Sequence, residues 1–340
     1  MNRTQKHMAV IDICFMRPMI FCNQGGLMIK EEFYFDSRDG ENRIHAVRYT
    51  PDDGNVRGIV QIVHGMAEYV ERYEELAKYL TDRGILVTGE DHLGHGKSVS
   101  EGGTFGYFCE QDPATVVVRD VHRLKKITEE QYPQVPYIIL GHSMGSFIVR
   151  NYLCRYGSGI DGAVIVGTGM QPAGLIFASK AMAGMQKLFC GSKHVSHFID
   201  KAAFGGYNKR IDSPRTSSDW LSRNTENVDR YIADGMCGFT FTVNGFQTLF
   251  ELIRRLQKQE NLEKVPQNLP ILMVSGAEDP VGDYGKGVHK ACNSLKRAGV
   301  KNITVKLYEN DRHELLNEDD AETAMEDIWQ WICKEVPGIA

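Results

Sequence analysis

The sequence predicts an α/β fold, a mostly parallel sheet flanked by helices and interrupted by a helical insertion. Three observations predict it. Strand-like and helix-like stretches alternate from Glu31 to Val166 and again from Ile271 to Cys333, a rhythm that implies parallel strands joined by crossover helices. Two of the strands, Tyr137-Ile138-Ile139-Leu140 and Ala163-Val164-Ile165-Val166, are near-continuous apolar runs, as expected for a sheet covered on both faces. From about residue 170 to residue 262 the alternation stops, and only helical patches and polar turns remain.

The first two strands, Glu31–Ser37 and Arg43–Thr50, flank Arg38-Asp39-Gly40 and read as an antiparallel hairpin. Gly58–Val63 is a strand rich in β-branched residues that ends at His64-Gly65. Tyr69, Tyr73, Leu76 and Leu80 then recur at helical spacing, and Gly84 closes that helix. Ile85–Thr88 is a strand running into Asp91-His92-Leu93-Gly94-His95-Gly96, and Pro113 to Gln131 is a helix with Val117, Val121, Leu124 and Ile127 on one side. The strand at Tyr137–Leu140, a helix to Tyr156 and the strand Gly162–Val166 complete the first half. The insertion holds an apolar patch at Leu175–Phe189 and helix-like pieces at Asn227–Met236 and Phe246–Gln257. Strands at Ile271–Ser275 and Ile303–Tyr308, a helix near Gly285–Ala298 and a last helix at Ala321–Cys333 end the chain. The expected division is an extension at 1–27, a core at 28–169 and 263–340, and a helical cap at 170–262.

Composition excludes several classes. In 340 residues, 42% are hydrophobic and the net charge is -5 with both signs interspersed, which argues against a nucleic-acid partner. Eight cysteines show no C-x-x-C and no zinc spacing, so a reducing cytoplasm is expected. The apolar stretch from Met8 to Cys22 is interrupted by Asp12, Arg17 and Pro18. It is too short and broken for a transmembrane helix. An extension outside the fold is the preferred reading, and an interfacial anchor the minority one.

The chemistry centres on Gly141-His142-Ser143-Met144-Gly145, between an apolar strand and a helical pattern. G-x-S-x-G at such a junction is the sequence form of a nucleophile elbow. By itself the pattern arises by chance in a Gly-rich chain. A serine there needs a base, and the base needs a carboxylate, in the chain order Ser, Asp or Glu, His. The strand ending at Ser275 leads to Glu278-Asp279-Pro280, and the strand ending near Tyr308 leads to Asp311-Arg312-His313. His313 is the candidate base. Asp279 and Glu278 compete as the acid, and Asp279 is preferred because Pro280 keeps it out of a helix. His64-Gly65-Met66 follows an earlier strand, so the Met66 N–H joins the Met144 N–H as an oxyanion donor; one such donor is worth about 2.7–4 kcal/mol in the transition state. Asp91, His92 and His95 suggest a metal, but their glycine-rich loop reads better as tight turns at the site rim. No metal or organic cofactor is expected.

With these residues in place, His64-Gly65-Met66-Ala67-Glu68-Tyr69, Glu71-Arg72-Tyr73, Asp91 through Ser98 and Gly141 through Gly145 resemble the monoacylglycerol lipase and lysophospholipase group of α/β-hydrolases. The likeness runs from about Met28 to the C-terminus and overlaps serine aminopeptidase-like hydrolases in its motifs. It implies an eight-stranded sheet with a cap over an acyl pocket, a triad at Ser143, Asp279 and His313, and an oxyanion hole at Met66 and Met144. The implied substrate is a small-molecule acyl ester, cleaved through an acyl-enzyme intermediate, with transient membrane-surface contact through the cap. Ser146 departs from the group, where a second glycine is usual, and is expected to narrow the pocket. Leu175, Phe177, Met182, Met185, Leu188 and Phe189 either line an acyl tunnel or pack the cap onto the core. A peptidase with acidic cap residues (Asp200, Asp212, Asp219, Glu226, Asp229) and a non-catalytic acyl-ligand-binding module are the alternatives.

Overall fold

The computed structural model describes residues 14–15, 19–23 and 26–339, with side chains from Met28 onward. The strands are β1 (Cys14–Phe15), β2 (Met19–Asn23), β3 (Gly26–Asp36), β4 (Arg43–Pro51), β5 (Gly58–Val63), β6 (Ile85–Glu90), β7 (Tyr137–His142), β8 (Gly162–Val166), β9 (Ile271–Gly276) and β10 (Ile303–Tyr308). They form one sheet in the order β1-β3-β4-β6-β5-β7-β8-β9-β10, with β2 also on β3. β3 and β4 pair antiparallel from Met28↔Pro51 to Asp36↔Arg43, and β4 meets β6 antiparallel. From β6 to β10 every pairing is parallel. The eight strands from β3 onward are the mostly parallel sheet of the α/β-hydrolase fold.

The N-terminal extension calls for a correction. Where it is described it joins the sheet, because β1 and β2 both pair antiparallel with β3. β3 has a free edge on the side away from β4, and a sheet edge is a row of unmet N–H and C=O groups. The apolar run at Met19-Ile20-Phe21 supplies a strand for it. The remainder of the extension lies outside the described residues.

The helices are α1 (Glu74–Thr81), α2 (Pro113–Gln131), α3 (Met144–Tyr156), α4 (Ala173–Cys190), α5 (His197–Phe204), α6 (Thr225–Ala233), α7 (Val243–Leu256), α8 (Gln259–Leu262), α9 (Lys286–Arg297) and α10 (Ala321–Glu335). Side chains alternate across a strand, and β7 shows the result. Ile139 packs into a layer with α2, α3, α7 and α9, while Ile138 and Leu140 pack into the opposite layer with α1 and α10. β5 through β9 are buried throughout, whereas the edge strand β10 alternates half-buried with exposed residues. Five helices, α4 to α8, fill the stretch between β8 and β9. Of these, α7 lies against α2 and α3 as well as α4, and its buried Phe246, Leu249 and Leu252 belong to the sheet's own helical layer.

One buried carboxylate ties the hairpin to this layer. Asp120 of α2 accepts hydrogen bonds from Ser37 Oγ at 2.7 Å and from the Arg38 N–H at 2.6 Å. Burial still pushes its pKa up to about 7, against the lowering effect of those two donors. The folded pKa exceeds the unfolded one, so this group's contribution to stability is present below about pH 4 and is lost as pH rises through 7. Asp120→Asn keeps the shape and removes the charge. In scanning calorimetry from pH 5 to pH 8, the Tm of Asp120→Asn is expected to rise steadily relative to the native protein; parallel curves would contradict this account.

Candidate active site

The elbow forms where β7 passes directly into α3. Ser143 sits between them with φ +54° and ψ −120°, a left-handed backbone that a residue with a Cβ adopts at a cost of order 1–3 kcal/mol. The turn is held by the Ser143 N–H on the Val166 carbonyl at 3.0 Å. Gly145 is required by close approach: a Cβ there would stand 1.9 Å from the Val63 carbonyl oxygen. α3 therefore starts hard against the end of β5, where the His64–Met66 loop begins. A Cβ on Gly65 would come within 3.0 Å of the Ser143 Cβ, so that loop and Ser143 are in contact.

His64 sets the direction of this loop. Its Nδ1 lies 2.8 Å from the Gly65 carbonyl and its Nε2 accepts the His92 N–H at 3.0 Å. This pattern fits a neutral imidazole with the proton on Nδ1, and burial lowers the His64 pKa accordingly. A trans peptide points its C=O and N–H in opposite directions. Tying the Gly65 carbonyl to His64 thus turns the Met66 N–H to the other side of the loop.

The two downstream loops meet at the ends of β9 and β10. The Ala277 N–H bonds the Tyr308 carbonyl and the Glu278 N–H bonds the Asp311 carbonyl, at 2.8 and 2.9 Å. Asp279 is completely buried. Its Oδ1 accepts the Val281 N–H at 2.8 Å, and its Oδ2 lies 3.0 Å from His313 Nδ1 and 3.2 Å from Ser275 Oγ. Of the competing acids, Asp279 carries the contact with His313, while Glu278 lines a neighbouring cavity. The His313 ring packs between His142, 4.7 Å away, and Trp220 of the inserted stretch, 5.1 Å away.

A second layer of charge was not visible as a unit in the sequence. Glu68 Oε1 accepts the Gly65 N–H, the Tyr73 hydroxyl at 2.9 Å and His142 Nδ1 at 3.1 Å. Glu68 Oε2 takes Arg72 Nη1 at 2.9 Å. Arg72 also grips both oxygens of Glu314, at 2.7 and 2.8 Å, and Glu314 accepts Asn227 Nδ2 from α6 at 2.7 Å. The other His142 nitrogen faces the His313 carbonyl at 3.1 Å. Both ring nitrogens of His142 thus meet acceptors, which only the imidazolium can satisfy. Burial alone lowers the His142 pKa, but Glu68 outweighs it and the value ends above the ordinary one. Burial likewise raises Glu68 and Glu314, and their partners outweigh it; His142 and Arg72 hold Glu68 low, and Arg72 holds Glu314 low. The sequence signals available were Glu68 and Arg72 at i,i+4 spacing and a histidine beside Ser143.

Two other expectations change. The Ser146 hydroxyl is engaged within the elbow: the residue is fully buried, and its hydroxyl bonds the Ser143 carbonyl and, at 2.8 Å, Thr168 Oγ1. The apolar cap patch turns mostly outward. Phe177, Leu188 and Phe189 of α4 are 77%, 84% and 87% exposed, and Leu175 and Met185 are also exposed; Met182 packs on the core. The Asp91 loop is absorbed by the fold: Asp91 accepts the Val70 and Lys97 N–H groups at 2.9 and 2.8 Å and holds His45 at 2.8 Å.

A family profile described as serine aminopeptidase, S33, matches residues 54–320. The chain belongs to this family. The chain is 27% identical to monoglyceride lipase of Mus musculus over 293 residues, 85% of this chain and 86% of that one. It is 28% identical to monoacylglycerol lipase of Mycolicibacterium smegmatis, over 84% of this chain and 90% of that one. Among solved structures, a thermostable carboxyl esterase from Bacillus coagulans in complex with glycerol superimposes with a TM-score of 0.84 at 30% identity, covering 92% of this chain and 99% of that one. The chain is thus a monoacylglycerol lipase-like serine hydrolase of the α/β-hydrolase superfamily.

Removing one partner from a buried ion network leaves an uncompensated charge, at a cost of about 3–5 kcal/mol. Arg72→Met is therefore expected to lower unfolding stability by about that amount, with Arg72→Lys between it and the native protein. Urea denaturation measures this, and a loss under 1 kcal/mol for Arg72→Met would show the network to be incidental.

Proposed function

We infer that this carboxylic ester hydrolase cleaves acyl lipids of the monoacylglycerol or lysophospholipid type through an acyl-enzyme. The observation that carries the reading is the buried His313–Asp279 hydrogen bond at 3.0 Å, in loops next to a serine held at positive φ. His313 takes the Ser143 proton as the oxygen attacks the acyl carbonyl. The Met66 and Met144 N–H groups hold the oxyanion. His313 then protonates the departing alcohol, and water repeats the cycle to release the acid. Asp279 orients the imidazole and stabilises its charged form.

The family's aminopeptidase name favours weighing peptide substrates. A peptidase of this kind needs a free acid in the cap for the substrate amine. Asp219 is occupied by the Arg215 and Thr216 N–H groups, and Asp229 pairs with Arg215. Two of the five cap acids are thereby engaged within the cap itself. The intact His313–Asp279 pair supports turnover over mere ligand binding.

The cytoplasmic setting is part of the same reading, supported by free thiols at Cys109, Cys154, Cys190, Cys237, Cys292 and Cys333. Among the described residues no helix is long and apolar enough to cross a membrane. The exposed apolar face of α4 supports a surface contact instead, in which Phe177, Leu188 and Phe189 enter the interface while the substrate is taken up.

Ser143→Ala is expected to abolish hydrolysis of monoacylglycerols and p-nitrophenyl esters and labelling by a fluorophosphonate, with the fold retained by circular dichroism. Residual turnover above one thousandth of native would reject Ser143 as nucleophile. Leu188→Ser with Phe189→Ser is expected to reduce co-sedimentation with phosphatidylcholine vesicles severalfold while p-nitrophenyl acetate, a soluble ester, is cleaved at the native rate. Undiminished vesicle binding would exclude the α4 contact.

A further inference from the structure

The backbone around Met66, the candidate oxyanion donor, is held from two sides. On the core side His64 fixes the Gly65 carbonyl. On the other side stands the inserted stretch, where the Gly238 N–H donates to the Ala67 carbonyl at 2.9 Å. Ala67 is buried and sits at φ +53°. A residue with a Cβ keeps that left-handed backbone only where its surroundings hold it there. Met66 thus lies between one carbonyl fixed by the core and another fixed by the insertion.

The turn that delivers Gly238 is built around Asp234, the residue after α6. Asp234 Oδ1 accepts the Met236 N–H at 2.8 Å, and the Asp234 carbonyl accepts the Cys237 N–H at 3.0 Å. The other carboxylate oxygen reaches out of the turn: Oδ2 accepts the Tyr69 hydroxyl at 2.8 Å. The turn is therefore fastened to the loop at Ala67 and at Tyr69, on both sides of Glu68. Beyond Gly238, Phe239 packs on His95 and Phe105, with ring centroids 5.3 and 4.9 Å away. Before it, the Tyr231 ring of α6 stands 5.0 Å from the Arg72 guanidinium.

An oxyanion hole works because its donors already point where charge develops. With the core bonds alone, the Ala67 carbonyl would have no partner and its positive φ no support, and the peptide planes on either side of Met66 would be free to relax together. Resting on the acyl-enzyme reading above, with Met66 as donor, we propose that Asp234 is a positioning residue for the oxyanion hole. Through Tyr69 and the Gly238 N–H it holds the Met66 peptide in its donating orientation. The hole is then a joint product of the core and the insertion.

The test compares a p-nitrophenyl acyl ester with its thionoester, in which sulfur replaces the carbonyl oxygen. Sulfur accepts hydrogen bonds weakly, so the thionoester gains little from the donors. In the native protein the kcat/KM ratio of ester to thionoester is expected to exceed ten. In Asp234→Ala the ratio should fall at least fivefold, with the loss in kcat and the ester KM within twofold of native. Tyr69→Phe, which leaves the turn's own bonds in place, should lower the ratio by a smaller factor, and the double variant no further than Asp234→Ala alone. Asp234→Asn, which keeps an acceptor for the Met236 N–H, should recover part of the ratio. Damage to the fold or to the base slows both esters alike and leaves the ratio where it was. If Asp234→Ala does not fold by circular dichroism, Tyr69→Phe decides alone. A native ratio above ten that these variants do not move overturns the proposal and leaves the acyl-enzyme reading intact. A native ratio near one removes Met66 as donor and the proposal with it, and hydrolysis retained in Ser143→Ala overturns both the proposal and the acyl-enzyme reading.

Discussion

The site depends on one buried guanidinium. Arg72 holds Glu68 on one side and Glu314 on the other, and each of these carboxylates belongs to a different part of the candidate machinery. Glu68 fixes the Gly65 N–H of the candidate oxyanion loop and the imidazole beside Ser143. Glu314 follows the candidate base and reaches α6 through Asn227. Burying these charges is expensive, and an apolar cluster of equal volume would stabilise the fold as well or better. What the network adds is a single arrangement. Its lone pairs and protons are satisfied only when the His64–Met66 loop, the elbow, the His313 loop and α6 stand in one relation.

The elbow and this network act on different scales. The elbow is a local strain, maintained because α3 starts against the end of β5 and leaves Gly145 no room for a side chain. The network is a long-range constraint, joining residues more than two hundred positions apart in the chain. Strain at Ser143 persists only while the surroundings over-determine it. Two further bonds supply that: the Ser143 N–H on β8 and the Ser146 hydroxyl on the Ser143 carbonyl. Ser146 thus reads as part of the elbow's support, where the sequence had suggested a change in pocket width.

This division explains what was legible in the sequence. The sheet from β3 to β10 was readable because each strand carries its own apolar run and each crossover its own helical period. The Asp279 and His313 loops were readable because chain order and strand ends are local properties. β1 and β2 were not, since Met8 to Cys22 is broken by Asp12, Arg17 and Pro18 and its pairing depends on the free edge of β3. The outward turn of the α4 face was equally hidden. An apolar helical patch has the same sequence whether it meets a core or solvent, and neighbouring elements decide which.

The inserted stretch presents its surface by a different physics from the buried network. Its apolar face on α4 is non-directional: area removed from water is what counts, and many lipid surfaces satisfy it. Arg312 is fixed by two carbonyls and Arg210 by an aromatic ring. The α4 face is thus apolar area without direction, whereas Arg72 and its two carboxylates admit a single arrangement.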